Sequence, residues 1–175
     1  MNWSRFLILS GNIILVFMNT IEEIKVVNYT PDYQKVFRAL NVEWIQKYFK
    51  MEESDYKALD KPNEYILDRG GAILVALYNG EAVGVCSLIK MDDPIYDFEL
   101  AKMAVSPKVQ GKGIGKVLLK ATIEKGKELG ARNLYLESNR KLNTAIKLYE
   151  KMGFKEVLDR NTPYERADIF MEYLY

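Results

Sequence analysis

The chain has no histidine and a single cysteine among its 175 residues. Without imidazole, histidine-based catalytic triads are excluded, and so are most zinc sites. One thiol, Cys86, permits no internal disulfide, a usage that fits a reducing, cytoplasmic compartment. Cys86 sits in an apolar strand pattern and is expected to be a buried thiol rather than a nucleophile. Net charge is nearly absent: 25 Lys and Arg against 24 Asp and Glu leave +1. That balance argues against a nucleic-acid binder relying on counterion release. The apolar run Phe6–Met18 falls short of the roughly 20 residues a membrane-spanning helix needs, and no small-residue cleavage site follows it. Residues 1–18 therefore read as an apolar extension without an assigned role, with Met18 as a candidate natural start. A membrane-surface anchor and an added strand are the alternatives. Residues 19–175 read as one domain.

What the chain does have is a glycine-rich turn behind an apolar strand, Met103-Ala104-Val105-Ser106-Pro107-Lys108-Val109-Gln110-Gly111-Lys112-Gly113-Ile114-Gly115-Lys116. Glycines at 111, 113 and 115 let a ligand approach the backbone. The helix that starts behind them presents unpaired amides and a positive dipole end, a cradle for phosphate. Two familiar phosphate loops fail on spacing. Gly115-Lys116 is followed by Val117, so the magnesium-binding hydroxyl of a Walker A loop is missing. The glycines run G-x-G-x-G rather than the G-x-G-x-x-G of a dinucleotide fold.

Gln110-x-x-Gly113-x-Gly115 is similar to the coenzyme A pyrophosphate loop, Q/R-x-x-G-x-G/A, of the GCN5-related N-acetyltransferases, the GNAT family. One helix and one strand later, Ala145-Ile146-Lys147-Leu148-Tyr149-Glu150-Lys151-Met152-Gly153-Phe154 resembles that family's second signature. The resemblance extends from about Ile21 to the C-terminus, weaker before Ala72.

Periodicity and turn signals give a coarse map of the chain. Strands are predicted at 21–28, 72–78, 82–89, 96–105, 132–138, 154–158 and 168–174, with Asn79-Gly80 as a hairpin turn. Helices are predicted at 32–50, 54–68 with a break near Lys61-Pro62, 112–129 and 143–152. The order β-α-α-β-β-β-α-β-α-β-β is that of the GNAT fold, an α/β (α+β) architecture whose mixed, mostly antiparallel sheet is flanked by helices.

The resemblance implies acetyl transfer from acetyl-CoA, as co-substrate and with no metal, to a primary amine by direct attack in a ternary complex. The acceptor is a small-molecule or peptide amine, with no nucleic-acid or membrane partner, and a homodimer stays open. Tyr149 matches the family tyrosine that protonates the leaving thiolate; an ordinary aromatic on the buried stripe of Ala145, Leu148 and Met152 is the alternative. Glu99 matches the general-base slot of some members, against a solvated carboxylate or deprotonation through water. Strict alternation would set Glu99 on the face of Ala101, Met103 and Val105. The backbone of Met103, Ala104 and Val105 is expected along the pantetheine arm. The amides of Gln110, Gly111, Lys112, Gly113, Ile114, Gly115 and Lys116 are expected on the pyrophosphate.

The sequence departs from the family at the pantetheine-contacting asparagine, where Leu142 stands. Asn143 is expected as a helix cap and Asn139 as a strand-end residue near the cofactor. Tyr164 and Arg166, in the loop 161–166, read either as a solvated hairpin or as readers of an acceptor carboxylate. The aromatics of the first helical region (Tyr33, Phe37, Trp44, Tyr48, Phe49, Tyr56) either line a pocket or pack. A catalytically idle acyl-CoA-binding regulatory module is the rival function.

Overall fold

A computed structural model describes residues 23–158, 160 and 162–175, together with the backbone of two short strands nearer the N-terminus. Those two, β1 (Phe6–Leu9) and β2 (Asn12–Leu15), pair antiparallel with Phe6 opposite Leu15. The role of residues 1–18 otherwise lies outside the described residues, as does Asn161 of the loop 161–166.

The domain proper begins with β3 (Ile24–Asn28) and α1 (Gln34–Tyr48), joined through a 3-10 turn with Pro31 at its start. Proline suits that position because its missing N–H has no helical acceptor there. After α2 (Glu53–Asp60) the chain makes one π-helical turn at Asn63–Leu67, where the Lys61-Pro62 break was expected. Next come β4 (Ala72–Tyr78), β5 (Glu81–Lys90), β6 (Phe98–Val105) and α3 (Ile114–Glu128). The remaining elements are β7 (Asn133–Ser138), α4 (Asn143–Lys151), β8 (Lys155–Val157) and β9 (Ile169–Leu174). Asn79 and Gly80 both have positive φ, 50° and 85°, the two-residue hairpin turn that matches strand twist.

Strands β3 to β9 form one sheet in the order β3-β4-β5-β6-β7-β9-β8. Every neighbouring pair is antiparallel except β6–β7. One face carries α1 and α2 over Ile73, Val75, Val85 and Ala104; the other carries α3 and α4 over Leu74, Cys86, Leu88 and Leu100. Burial of these two apolar layers holds the sheet between the helices. Cys86 lies fully buried in the second layer, where desolvation pushes its thiol up to about 12. It is a packing residue at neutral pH, as expected.

Strict alternation fails in β6. Val85 of β5 faces Ala104 and Ser87 faces Ala101, so Cys86 alone spans Lys102 and Met103. The extra residue is a β-bulge, with Lys102 at φ 52° in the left-handed region. Glu99 and Ala104 consequently share the α1/α2 face, while Met103 and Val105 pack into the α3/α4 layer. The face expected from the sequence, with Glu99, Met103 and Val105 together, is corrected by that one residue. Among the described residues no helix is long and apolar enough to cross a membrane.

Candidate active site

The parallel ladder of β6 and β7 is two residue pairs long, Phe98 with Leu134 and Glu99 with Tyr135. Beyond it the strands diverge, and a cleft opens between them. Ser106 donates its N–H to Val83 O of β5 at 2.8 Å. Alternation then directs Ala104 toward β5, and the N–H and C=O groups of Met103 and Val105 toward the cleft. These are the edge groups expected to take the pantetheine arm.

Two cavities meet there. The larger, about 820 Å³, is a groove lined by Gln110, Gly111, Gly113, Ile114, Gly115 and Lys116 on one side and by Lys141 to Ala145 on the other. Gly111 and Gly113 have φ of 81° and 76°, a backbone that favours glycine. The first intrahelical bond of α3 runs from Val117 N–H to Gly113 O, 3.1 Å. The amides of Ile114, Gly115 and Lys116 therefore belong to the turn that a helix leaves without acceptors, aimed into the groove. Lys112 is exposed beside the loop, its ammonium 5.0 Å from the Tyr78 ring centre. The groove fits a pyrophosphate ligand by its amides and by the open space beside both left-handed glycines.

The smaller cavity, about 220 Å³, lies deeper and shares Met103, Ala104, Val105, Leu142, Ala145 and Tyr149 with the groove. Tyr149 stands at the junction. Its hydroxyl points at Met103 Sδ, 3.9 Å away, and burial pushes the phenol above its ordinary range, so it stays protonated at neutral pH. Glu99 lines the small cavity. Desolvation first, and the neighbouring Glu137 carboxylate second, raise it to about 7, against the opposing pull of Lys102 and Arg166. A carboxyl poised there is matched to proton transfer near neutrality.

Two residues of this chamber, Glu137 and Lys102, and two behind it, Asp55 and Glu52, escaped the sequence reading. Glu137 lies two residues beyond Tyr135, the partner of Glu99, and so shares its face. Burial raises it too, while Thr162 and Tyr135 hydroxyls donate to it. Lys102 is buried, with Nζ 2.8 Å from Asp55 Oδ1 and 2.8 Å from the Tyr164 hydroxyl. Asp55 is fully buried at the start of α2 and accepts both guanidinium nitrogens of Arg166, at 2.7 and 2.8 Å. Arg166 also meets Glu52 Oε1 at 2.7 Å. Burial works against ionisation of Asp55, but the Arg166 hydrogen bonds and the Lys102 charge hold it below the usual carboxylate range. A charged residue in the middle of the apolar stretch Leu100–Val105 was the visible signal for Lys102.

Other expectations are corrected. Tyr164 and Arg166 are no solvated hairpin: Tyr164 is buried and Arg166 is locked against α2. Asn143 does not cap α4, because it is the first helical residue and Leu142 occupies the cap without a side-chain bond; it lines the groove, exposed. Asn139 is buried with its amide donating to Arg166 O at 2.6 Å and accepting from Lys141 N–H at 2.9 Å. It borders the small cavity but braces the loop before β9. Of the α1-region aromatics, Trp44, Tyr48 and Phe49 line the cavity, whereas Phe37 is core and Tyr56 is exposed. Trp44 is set by a buried asparagine, Asn41, which accepts its indole N–H at 3.3 Å.

A profile of the acetyltransferase (GNAT) family matches residues 35–154. The chain is 35% identical over 100 residues to YjgM of Escherichia coli K12, named an uncharacterized N-acetyltransferase; the match covers 57% of this chain and 60% of that protein. The chain thus spans less than two thirds of that relative. It is 26% identical to the [ribosomal protein bS18]-alanine N-acetyltransferase of the same organism, over 86% of this chain and 90% of the other. Its fold matches that of yncA from Salmonella typhimurium, solved with its cofactor acetyl-CoA, with a TM-score of 0.67 at 17% identity, covering 86% of this chain and 93% of that one.

Proposed function

The chain belongs to the GNAT acetyltransferase family, and on that premise we propose that it moves an acetyl group from acetyl-CoA to a primary amine in a ternary complex. One observation carries the reading: the groove and the small chamber meet at the divergence of β6 and β7, with Tyr149 at the junction and Glu99 on the chamber side. The pyrophosphate rests on the first-turn amides of α3, and the pantetheine arm runs along the free edge of Met103 and Val105. That path brings the thioester to Tyr149.

The acceptor arrives as an ammonium, since an alkylamine is mostly protonated at neutral pH. Glu99, ionised above about 7, takes one proton and leaves a neutral nucleophile. The amine nitrogen then attacks the thioester carbonyl while an amide of the β6 edge receives the developing oxyanion. As the carbon–sulfur bond breaks, the Tyr149 hydroxyl gives its proton to the departing thiolate, and the second proton shed by the attacking nitrogen returns to the phenolate, leaving a neutral amide and a restored Tyr149. The lack of a histidine or an ionisable thiol in the site suits this direct route, which needs no covalent enzyme nucleophile.

Calorimetry with acetyl-CoA and a thiol-release assay across a panel of amines test the proposal. Saturable binding with turnover of at least one amine is expected. Binding without turnover of any amine would leave an idle acyl-CoA-binding module instead, and absence of binding would remove both readings.

A further inference from the structure

The chamber wall carries four charged residues, Glu99, Lys102, Glu137 and Arg166. The two cations are already matched: Lys102 by Asp55, and Arg166 by Asp55 and Glu52. The two carboxylates are not. Glu137 receives neutral hydroxyls from Tyr135 and Thr162, and Glu99 accepts no hydrogen bond among the described residues. Counting Asp55 and Glu52, which stand behind the lining, four acidic groups meet two basic ones. The excess is negative and rests on Glu99 and Glu137.

On the α1 side the wall is Trp44, Tyr48 and Phe49, an aromatic lining at the end of that helix. At the rim the charge changes sign: Lys141 lies 5.9 Å from the Phe49 ring, and Lys47 lines the adjoining groove. The volume, about 220 Å³, is below the roughly 300–1,000 Å³ of sites for drug-sized ligands.

From this arrangement we infer that the acceptor is a small monoamine with an apolar body and no carboxylate beside its amino group. Its ammonium sits against Glu99 and Glu137, and its hydrocarbon part lies on Trp44, Tyr48 and Phe49. An amino-acid carboxylate finds no available cation among the described residues of the chamber, because Lys102 is held by Asp55, and Arg166 by Asp55 and Glu52. A second ammonium on the acceptor meets the lysines at the rim. This rests on the acetyl-transfer reading and narrows its acceptor.

The test uses amines that differ from each other by one group. Thiol release with saturating acetyl-CoA compares 2-phenylethylamine with phenylalanine, pentylamine with norleucine, and pentylamine with 1,5-diaminopentane. A like charge facing unpaired carboxylates is unfavourable by several kcal/mol, so kcat/KM for each amine should exceed that of its carboxylated twin by about 100-fold or more. Pentylamine should exceed the diamine by about tenfold, a smaller effect because the rim lysines are solvated. Glu137→Gln should narrow the amine-to-amino-acid ratio by about tenfold. Amino acids within about threefold of their amines, or a diamine or alanine-led tetrapeptide as the best acceptor, would overturn the inference. Calorimetry of the same pairs into protein saturated with coenzyme A separates the two levels. Selective amine binding without acetylation sinks the transfer reading and keeps the chamber's selectivity; turnover without selectivity does the reverse. Neither binding nor turnover of any of these amines sinks this inference.

Discussion

Replacing Tyr149 by phenylalanine separates chemistry from packing in this site. The ring is buried and packs near Phe154, with centroids 5.9 Å apart, and phenylalanine keeps that contact. The hydroxyl has the Met103 thioether as its neighbour at 3.9 Å, a weak acceptor. Its removal should therefore change stability by less than about 1 kcal/mol. In a chain of this size that is a Tm shift of no more than about 2–4 °C. If the phenol protonates the departing thiolate, its loss removes a general acid, a contribution of about 100- to 10,000-fold. On the barrier this is about 2.7–5.4 kcal/mol. The two magnitudes do not overlap, so kcat reads the chemistry alone. Steady-state thiol release, calorimetry of acetyl-CoA binding and a melting curve on the same preparation form the assay. The expected result is kcat down at least about 100-fold with Kd for acetyl-CoA changed less than about twofold. A kcat within about threefold of the parent across pH 6–9 would refute the assignment and leave solvent as the proton donor.

The remaining predictions address the base, the loop and the ion cluster. With Glu99 raised to about 7, the base is ionised above that pH and protonated below it, so kcat/KM should climb with pH and break near 7. Glu99→Gln should abolish the break and act most strongly between about pH 7 and the amine's own pKa near 10.4; an unchanged profile would favour deprotonation through water. The same shift has a stability sign: a carboxyl raised by burial stabilises the fold fully below its unfolded pKa, and that contribution is lost as pH rises through about 7. Glu99→Gln should therefore melt higher than the parent at pH 8, with the difference shrinking toward pH 5. Gly113→Ala meets no atom within 4 Å but forces a Cβ onto φ 76°, a strain of about 1–2 kcal/mol. It should weaken acetyl-CoA binding at least about threefold by calorimetry, because the residue lines the groove. Asp55→Ala leaves Lys102 and Arg166 without their shared carboxylate, a loss of about 3–5 kcal/mol, read as a fall in Tm of roughly 10 °C.

Much of the fold was legible because its signals are local. Asn79-Gly80, the glycines at 130 and 153, and the apolar stripes of α1 and α3 set the boundaries of elements within a residue or two of those observed. The loop 110–116 was legible for the same reason, since its glycines and the following helix are contiguous. Contacts across long sequence separations were not. Lys102, Asp55 and Arg166 stand 47 and 111 residues apart in their pairings, and no pattern in any one segment announces that they meet. Glu137 was hidden by register: only the pairing of Glu99 with Tyr135 reveals that two carboxylates from different strands open into one chamber. The pairing of Arg166 was hidden as well, because a free arginine and an arginine locked to a buried aspartate look alike in sequence.

The bulge at Lys102 links these features into one device. An uninterrupted β6 would alternate faces, placing Met103 and Val105 with Glu99, and Lys102 with Leu100 in the apolar layer under α3. One extra residue inverts the second half of the strand. Met103 and Val105 turn into the α3/α4 layer, which brings the Met103 thioether beside the Tyr149 hydroxyl and sends the edge amides into the cleft. Lys102 takes the left-handed backbone, a conformation disfavoured for lysine by about 1–2 kcal/mol, and its ammonium reaches Asp55 and Tyr164. That ion pair offsets the backbone strain and, through Asp55, fixes Arg166 and the loop before β9 as the chamber wall. In the proposed reaction, the geometry that frees the strand edge for a thioester would thus also withdraw both cations from the acceptor and leave Glu99 and Glu137 to meet the amine.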